Sequence, residues 1–245
     1  MNLPRIALAA LLAAASLSVQ AVGRLADISI HDRATGRDLP VLSHEGRAYV
    51  AGRPGSEYEV VVRNCTGEDL LAVVSVDGVN VLSGETAGTR QGGYVVSPGE
   101  RLPIRGWRKS LGEVASFYFT SLGDSYAVRT GRPADVGVIG VALFQRQREE
   151  PVALEAVPGG LADRAKRERH SAASQAPAPL GTGHGRRQSS HARYVSFERS
   201  TAEPVETLAI YYDSHRNLVA QGVLSSHAWR RDPDPFPSRF VPDPR

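Results

Sequence analysis

The sequence predicts an all-β protein, an antiparallel two-sheet sandwich of immunoglobulin-like or jelly-roll character followed by a small C-terminal β-hairpin block. Three observations carry that expectation. Over residues 24–146, runs rich in Val, Ile, Tyr and Phe are broken by Gly, Pro, Asn and Asp about every ten residues. Tyr58, Val60 and Val62 fall on one strand face and Glu59 and Arg63 on the other, with Val61 the exception, as a strand solvated on one side requires. Asp77-Gly78 stands between Val76 and Val79, and an Asp-Gly pair between β-branched residues is the strongest short-range hairpin signal.

Taken in order, the chain opens with a leader at residues 1–21. Arg5 is followed by an apolar, alanine-rich run over 6–17, and Val19-Gln20-Ala21 places small or modest residues where a signal peptidase inspects them. The run is shorter than the ~20 residues needed to cross a bilayer, so a cleaved signal peptide and a mature chain from Val22 are expected. Residues 22–146 form the sandwich domain. Within it, residues 70–76 are apolar except for Ser75, as in a central strand covered on both faces. Pro98-Gly99 marks a turn into an extended segment over 101–107. Residues 114–120 and 136–144 supply two buried strands, joined across 123–133 by a long loop that holds a helical turn.

Residues 147–179 have linker composition, beginning Arg148-Glu149-Glu150 and ending in an Ala/Ser/Pro stretch, with at most a short helix at 161–169. The block 180–230 opens on Gly181-Thr182-Gly183-His184-Gly185, and strands are expected at 193–199, 205–213 and 218–224, the last two joined as a hairpin across 213–217. Its core is small, so it depends on the sandwich for stability. Residues 231–245 are a Pro-rich tail that cannot sustain a ladder.

Composition removes several function classes. The chain is 41% hydrophobic and 22% charged, which suits a folded protein. With 29 basic against 26 acidic residues the net charge is only +3, too weak for a polyanion footprint, so no nucleic-acid partner is expected. The single cysteine, Cys65, excludes a disulfide framework, a thiolate zinc site and dithiol redox chemistry. It also excludes a lipid-modified mature N-terminus. Cys65 itself reads as a half-buried free thiol.

Each remaining motif has a structural reading beside a chemical one. Gly123-Asp124-Ser125 resembles the first block of the GDSL hydrolases, but a serine nucleophile needs a base and an oxyanion hole, and the later family blocks are missing. The three residues suit a turn. His170, His184, His191, His215 and His227 cluster late in the chain, without the spacing that sets two imidazoles on one face, so no metal is expected. The 181–185 glycines, followed by Arg186 and Arg187, can cradle an anion, or simply give a flexible approach to a strand. Trp107, with Arg108 and Lys109, is either an aromatic ligand platform or a closure of the sandwich core. Asn64-Cys65-Thr66 is a formal glycosylation sequon.

The string Val74-Ser75-Val76-Asp77-Gly78-Val79-Asn80-Val81, with Gly93-Tyr94, Gly106-Trp107-Arg108-Lys109-Ser110, Phe117-Tyr118-Phe119 and Val136-Gly137-Val138-Ile139-Gly140-Val141, resembles an uncharacterised family of exported proteobacterial proteins. Leu180 to Gly185, Phe197-Glu198-Arg199 and Tyr212-Asp213-Ser214 resemble the same family. The resemblance implies a periplasmic or secreted setting and transfers no catalytic residue.

The functional expectation is a non-catalytic exported sandwich that binds or supports an envelope protein or glycan. Trp107, Arg108, Gly183, His184 and Arg186 are its candidate ligand-binding residues, with no cofactor and no membrane span after leader cleavage. Two alternatives stand beside it. One is a periplasmic hydrolase or metal-dependent enzyme using Ser125 or the C-terminal histidines; the other is a carbohydrate-binding module built on Trp107 and nearby tyrosines.

Overall fold

The computed structural model describes residues 21–147 and 179–225. Residues 1–20, 148–178 and 226–245, which carry the leader, the linker and the tail read from sequence, lie outside this set. The strands are, in chain order, β1 (Ala21–Val22), β2 (Ala26–Asp32), β3 (Arg37–Asp38), β4 (Leu42–His44), β5 (Arg47–Gly52), β6 (Glu57–Asn64), β7 (Leu70–Val76) and β8 (Val79–Asn80). They continue as β9 (Tyr94–Val96), β10 (Arg101–Ile104), β11 (Gly106–Arg108), β12 (Glu113–Ser121), β13 (Val138–Gln145), β14 (Leu180–Ser189) and β15 (Glu206–Ser214). Two short helices, α1 (Tyr126–Arg129) and α2 (His215–Ala220), complete the elements used below.

The strands form two sheets packed as a sandwich. Sheet one runs β1-β2-β6-β12-β11, with β3 on β2, β10 on β6 and β14 on β12. Sheet two runs β4-β5-β15-β13-β7-β8, with β9 on β7. The alternation read in β6 holds: Tyr58, Val60 and Val62 point into the core, and Val61 is the buried exception on the outer side. From sheet two, Val74, Val76, Ile139, Val141, Ile210 and Tyr212 meet them. Tyr58 stacks on Phe119 and Phe117, with centroids 4.3 and 5.4 Å away. Full burial of each such side chain contributes roughly 1.5–3 kcal/mol, so this interior is the main stabilising term.

The Asp77-Gly78 turn forms as expected. Both residues take positive φ, 52° and 71°, and Val76 pairs with Val79 across them, as a type I′ turn requires. Strand β7 is covered on both faces: Leu71 and Val73 join Ala142 and Phe144 in a second cluster on the outer side of sheet two.

The C-terminal block departs from expectation. Its two long strands do not pair with each other; β14 extends sheet one beside β12, and β15 inserts into sheet two between β13 and β5, parallel to β5. Both sheets are therefore completed from this region. The hairpin expected across 213–217 is absent because Ser214 caps a helix, its Oγ accepting from the Asn217 N–H at 3.2 Å, and Leu218 lies inside α2 with its side chain buried. The strand expected at 193–199 is instead a strap over the outer face of sheet two. Phe197 packs on the second cluster, and the Arg199 guanidinium lies 4.1 Å from the Phe144 ring centroid while donating to the carbonyls of Thr89 and Gln91. Backbone pairing of the strap is confined to its end, where the Gln147 N–H donates to Glu198 O and the Ser200 N–H to Gln145 O around an Arg146–Arg199 bridge, and the side chains of Phe197 and Arg199 cover the face beside it.

One chain of polar groups crosses the core. Tyr212 Oη donates to Asp77 Oδ1 at 2.5 Å, so it accepts from Thr182 Oγ1 at 2.6 Å, which in turn accepts from Tyr58 Oη at 2.6 Å. The Gly137 and Thr182 N–H groups donate to the same carboxylate. Tyr58 and Thr182 belong to sheet one, Asp77 and Tyr212 to sheet two, so the chain ties the sheets together. Burial pushes the Asp77 carboxyl up to about 6, against the opposing pull of the Tyr212 O–H and the Thr182 and Gly137 N–H groups. Burial likewise raises both tyrosines well above the ordinary phenol range.

Candidate functional site: an arginine-lined cleft on sheet one

Of the five candidate ligand residues, Trp107 lies in the core. It is 3% exposed, sits edge-on to Phe117 at 5.2 Å, and donates from Nε1 to the Gly183 carbonyl at 3.2 Å. Its ring is no platform for solvent-borne ligands. Arg108 is a structural clasp, bonded to Ser190 O and Oγ and to Tyr94 Oη. The His184 ring lies beside Tyr126 at 5.5 Å; burial, then the positive charges of Lys109, Arg129 and Arg187, lower its affinity for a proton. Ser125 is buried, donating to Leu122 O and accepting from the Val128 N–H as the cap of α1. Its described hydrogen bonds are all to backbone. Among the described residues no group of three or more His, Cys, Asp or Glu converges as a metal site. Cys65 is exposed rather than half-buried. The sequon asparagine, Asn64, is 1% exposed, with its amide donating to Glu68 O and Val96 O.

Arg186 has a different setting. It lines a surface cleft of about 610 Å³ together with Arg33, Ala34, Arg53, Pro54, Gly55, Ser56 and Glu57. Local structure explains how these distant residues meet. The β12–β14 register shifts between Ala115 and Phe117, leaving Gly185 and Arg186 opposite Ser116 as a bulge. Gly185 permits it, since a Cβ there would lie 2.4 Å from Ser116 Oγ. The bulge aims Arg186 across sheet one at Glu57, the first residue of β6. Arg33 follows β2 and Arg53 follows β5, so both reach the cleft from loops at the same end.

Glu57 is the hub. Arg186 grips it with both Nε (2.9 Å) and Nη2 (3.3 Å), while Arg33 Nη1 (2.7 Å), Gln188 Nε2 (3.2 Å) and Ser116 Oγ (3.2 Å) also donate to it. Burial acting alone raises the Glu57 carboxyl, but the Arg186 hydrogen bond and charge, then Arg33 and Ser116, hold it below the ordinary range. Arg53 differs from its neighbours: its Nε donates to Ser56 Oγ at 2.9 Å, and among the described residues it has no ion-pair partner. The lining thus carries three guanidinium groups against one carboxylate. Such an array recognises a carboxylate, phosphate or sulfate through fork-shaped, charge-assisted hydrogen bonds.

Sequence reading found Arg186 and missed Arg33, Arg53 and Glu57. Only the outward position of Glu57 in a half-buried strand hinted at it, because the loop arginines are indistinguishable from solvated charges until the bulge and the strand order are known. The fold and the cleft define a β-sandwich with an arginine-lined surface cleft. Comparisons with protein-family models, with curated proteins and with solved structures return no match.

Proposed function

We propose that the protein is a non-catalytic exported binding protein whose cleft holds an anionic group of an envelope component. The observation that carries this reading is Arg53, a guanidinium at the cleft without a carboxylate partner among the described residues, beside Arg186 and Arg33 fixed on Glu57. Pre-positioned neighbours lower the ordering cost of binding. Export rests on the leader at residues 1–21 and on the resemblance to exported proteins; no helix among the described residues is long and apolar enough to cross a membrane.

Calorimetric titration at low salt with inorganic phosphate and with acidic envelope fragments tests the reading. Binding weakened about tenfold or more in Arg53→Gln, at one charge-assisted hydrogen bond lost, is the expected result. Absence of any anion binding, or equal binding by the variant, overturns it.

A further inference from the structure

We infer that Glu57 is a built-in competitor for this cleft: an arriving anion draws Arg186 away from it, so that exchange sets the affinity of the site. This rests on the anion-binding reading above.

The guanidinium groups that Glu57 engages are not held alike. The Arg33 side chain is 26% exposed and tied on several sides, its Nη1 donating to Glu57 and to Gln188 Oε1, both at 2.7 Å, while its Nε lies 3.3 Å from Glu59. The Arg186 side chain is 72% exposed, and among the described residues its one partner is Glu57. An exposed ion pair of this kind contributes a factor of about five at most, because water serves both side chains nearly as well. Arg33 is therefore the fixed member and Arg186 the exchangeable one. An anion bridging Arg53 and Arg186 gives Arg186 the same fork contact that Glu57 gives it, and adds a second cation that Glu57 does not engage.

Glu57 keeps support when Arg186 leaves. Arg33, Gln188 Nε2 and Ser116 Oγ still donate to it, so no bare carboxylate remains in the sheet. The other groups around it are already engaged or neutral. Tyr118 stands opposite on β12; Glu59, two residues along β6, has Arg33 and Arg105 each at 3.3 Å; Asp32, at the end of β2, accepts from the Ala34 and Thr35 N–H groups. Arg186 is thus the charge beside Glu57 that an anion recruits at least cost. The exchange carries a proton signature. Burial works to raise the Glu57 carboxyl, and Arg186, by hydrogen bond and by charge, leads the groups that hold it below the ordinary range. Drawing Arg186 off and bringing an anion in both move the carboxyl upward, so binding takes up protons and strengthens in acid.

The experiment titrates the full chain calorimetrically with inorganic sulfate, whose charge is constant over the range used, in buffers of different ionisation enthalpy. Wild type, Glu57→Gln, Glu113→Gln and Arg53→Gln are compared. Wild type is expected to take up a fraction of a proton per sulfate near pH ~5 and none near pH ~7. Glu57→Gln is expected to bind sulfate about three- to tenfold tighter near pH ~7 and to show no uptake at either pH. Glu113→Gln removes an equal charge from beside Arg187, outside the cleft, and stays within about twofold of wild type. The wild-type uptake needs no variant, so it decides the matter even where Glu57→Gln does not fold. Unchanged or weaker binding in folded Glu57→Gln, an equal gain in Glu113→Gln, or no uptake by wild type overturns the competitor role. If sulfate binding still depends on Arg53 in those cases, the anion-binding reading stands alone; if neither wild type nor Glu57→Gln binds sulfate, both fall.

Discussion

Replacing Asp77 with Asn isolates the electrostatics of the buried chain from the geometry of the turn that carries it. Asp77 holds φ at 52°, and Asn tolerates that left-handed conformation equally well, so backbone strain cancels between the two. The acceptor count changes. Asp77 Oδ1 accepts from Gly137 N–H and Tyr212 O–H, and Oδ2 from Thr182 N–H. An amide has one oxygen, so either flip turns an N–H2 group against a buried donor, at a cost of about 1–3 kcal/mol for each donor left without an acceptor. The pH dependence follows from the raised carboxyl. With the folded value near 6 and the unfolded value near 3.8, the native state holds more proton than the unfolded chain between those limits. Asp77 therefore contributes most stability below the unfolded value, and that contribution is lost as pH rises through the folded one. A difference of about two pKa units corresponds to roughly 3 kcal/mol. Asn does not titrate, so the stability gap between wild type and variant is expected to widen by up to about 3 kcal/mol on acidification from pH ~7 to ~4. Urea unfolding followed by tryptophan fluorescence at several pH values measures it, because all other titrations cancel in the difference. Equal stability at neutral pH refutes the need for two carboxylate oxygens, and a gap that is constant with pH refutes the burial penalty.

Gly183→Ala is expected to lower stability by about 1–3 kcal/mol in thermal or urea unfolding, because the new methyl meets the Tyr118 ring, whereas Gly112→Ala, with nothing within 4 Å, stays within about 0.5 kcal/mol. Trp107→Phe removes the donor to the Gly183 carbonyl and is expected to destabilise by about 1–3 kcal/mol without changing anion affinity. Phe197→Ala uncovers the outer face of sheet two at Phe144; increased binding of a hydrophobic dye and a loss of roughly 1–3 kcal/mol are expected, below the cost of a fully buried Phe because Phe197 is only partly buried. Asn64 is expected to stay unmodified in a glycosylating host, read by intact mass, since its amide is bonded inside the fold.

Local chemistry was sufficient for the sandwich, the Asp77-Gly78 turn, the face alternation of β6 and the double cover of β7. Each depends on residues within a few positions of one another: side-chain period, positive φ, an unbroken apolar run. The same reading erred at 213–224, where Ser214 supplied a cap signal that β-like residues downstream masked, and at 193–199, where an extended, aromatic-bearing segment looks identical whether it pairs in a ladder or lies across a sheet. The placement of β14 in one sheet and β15 in the other, the parallel β15–β5 pair, and the meeting of Arg33, Arg53, Glu57 and Arg186 were decided only by tertiary structure. These contacts join residues far apart along the chain, Arg33 and Glu57 by 24 positions and Arg186 and Glu57 by 129, and no local propensity encodes which strand edge a returning chain will find.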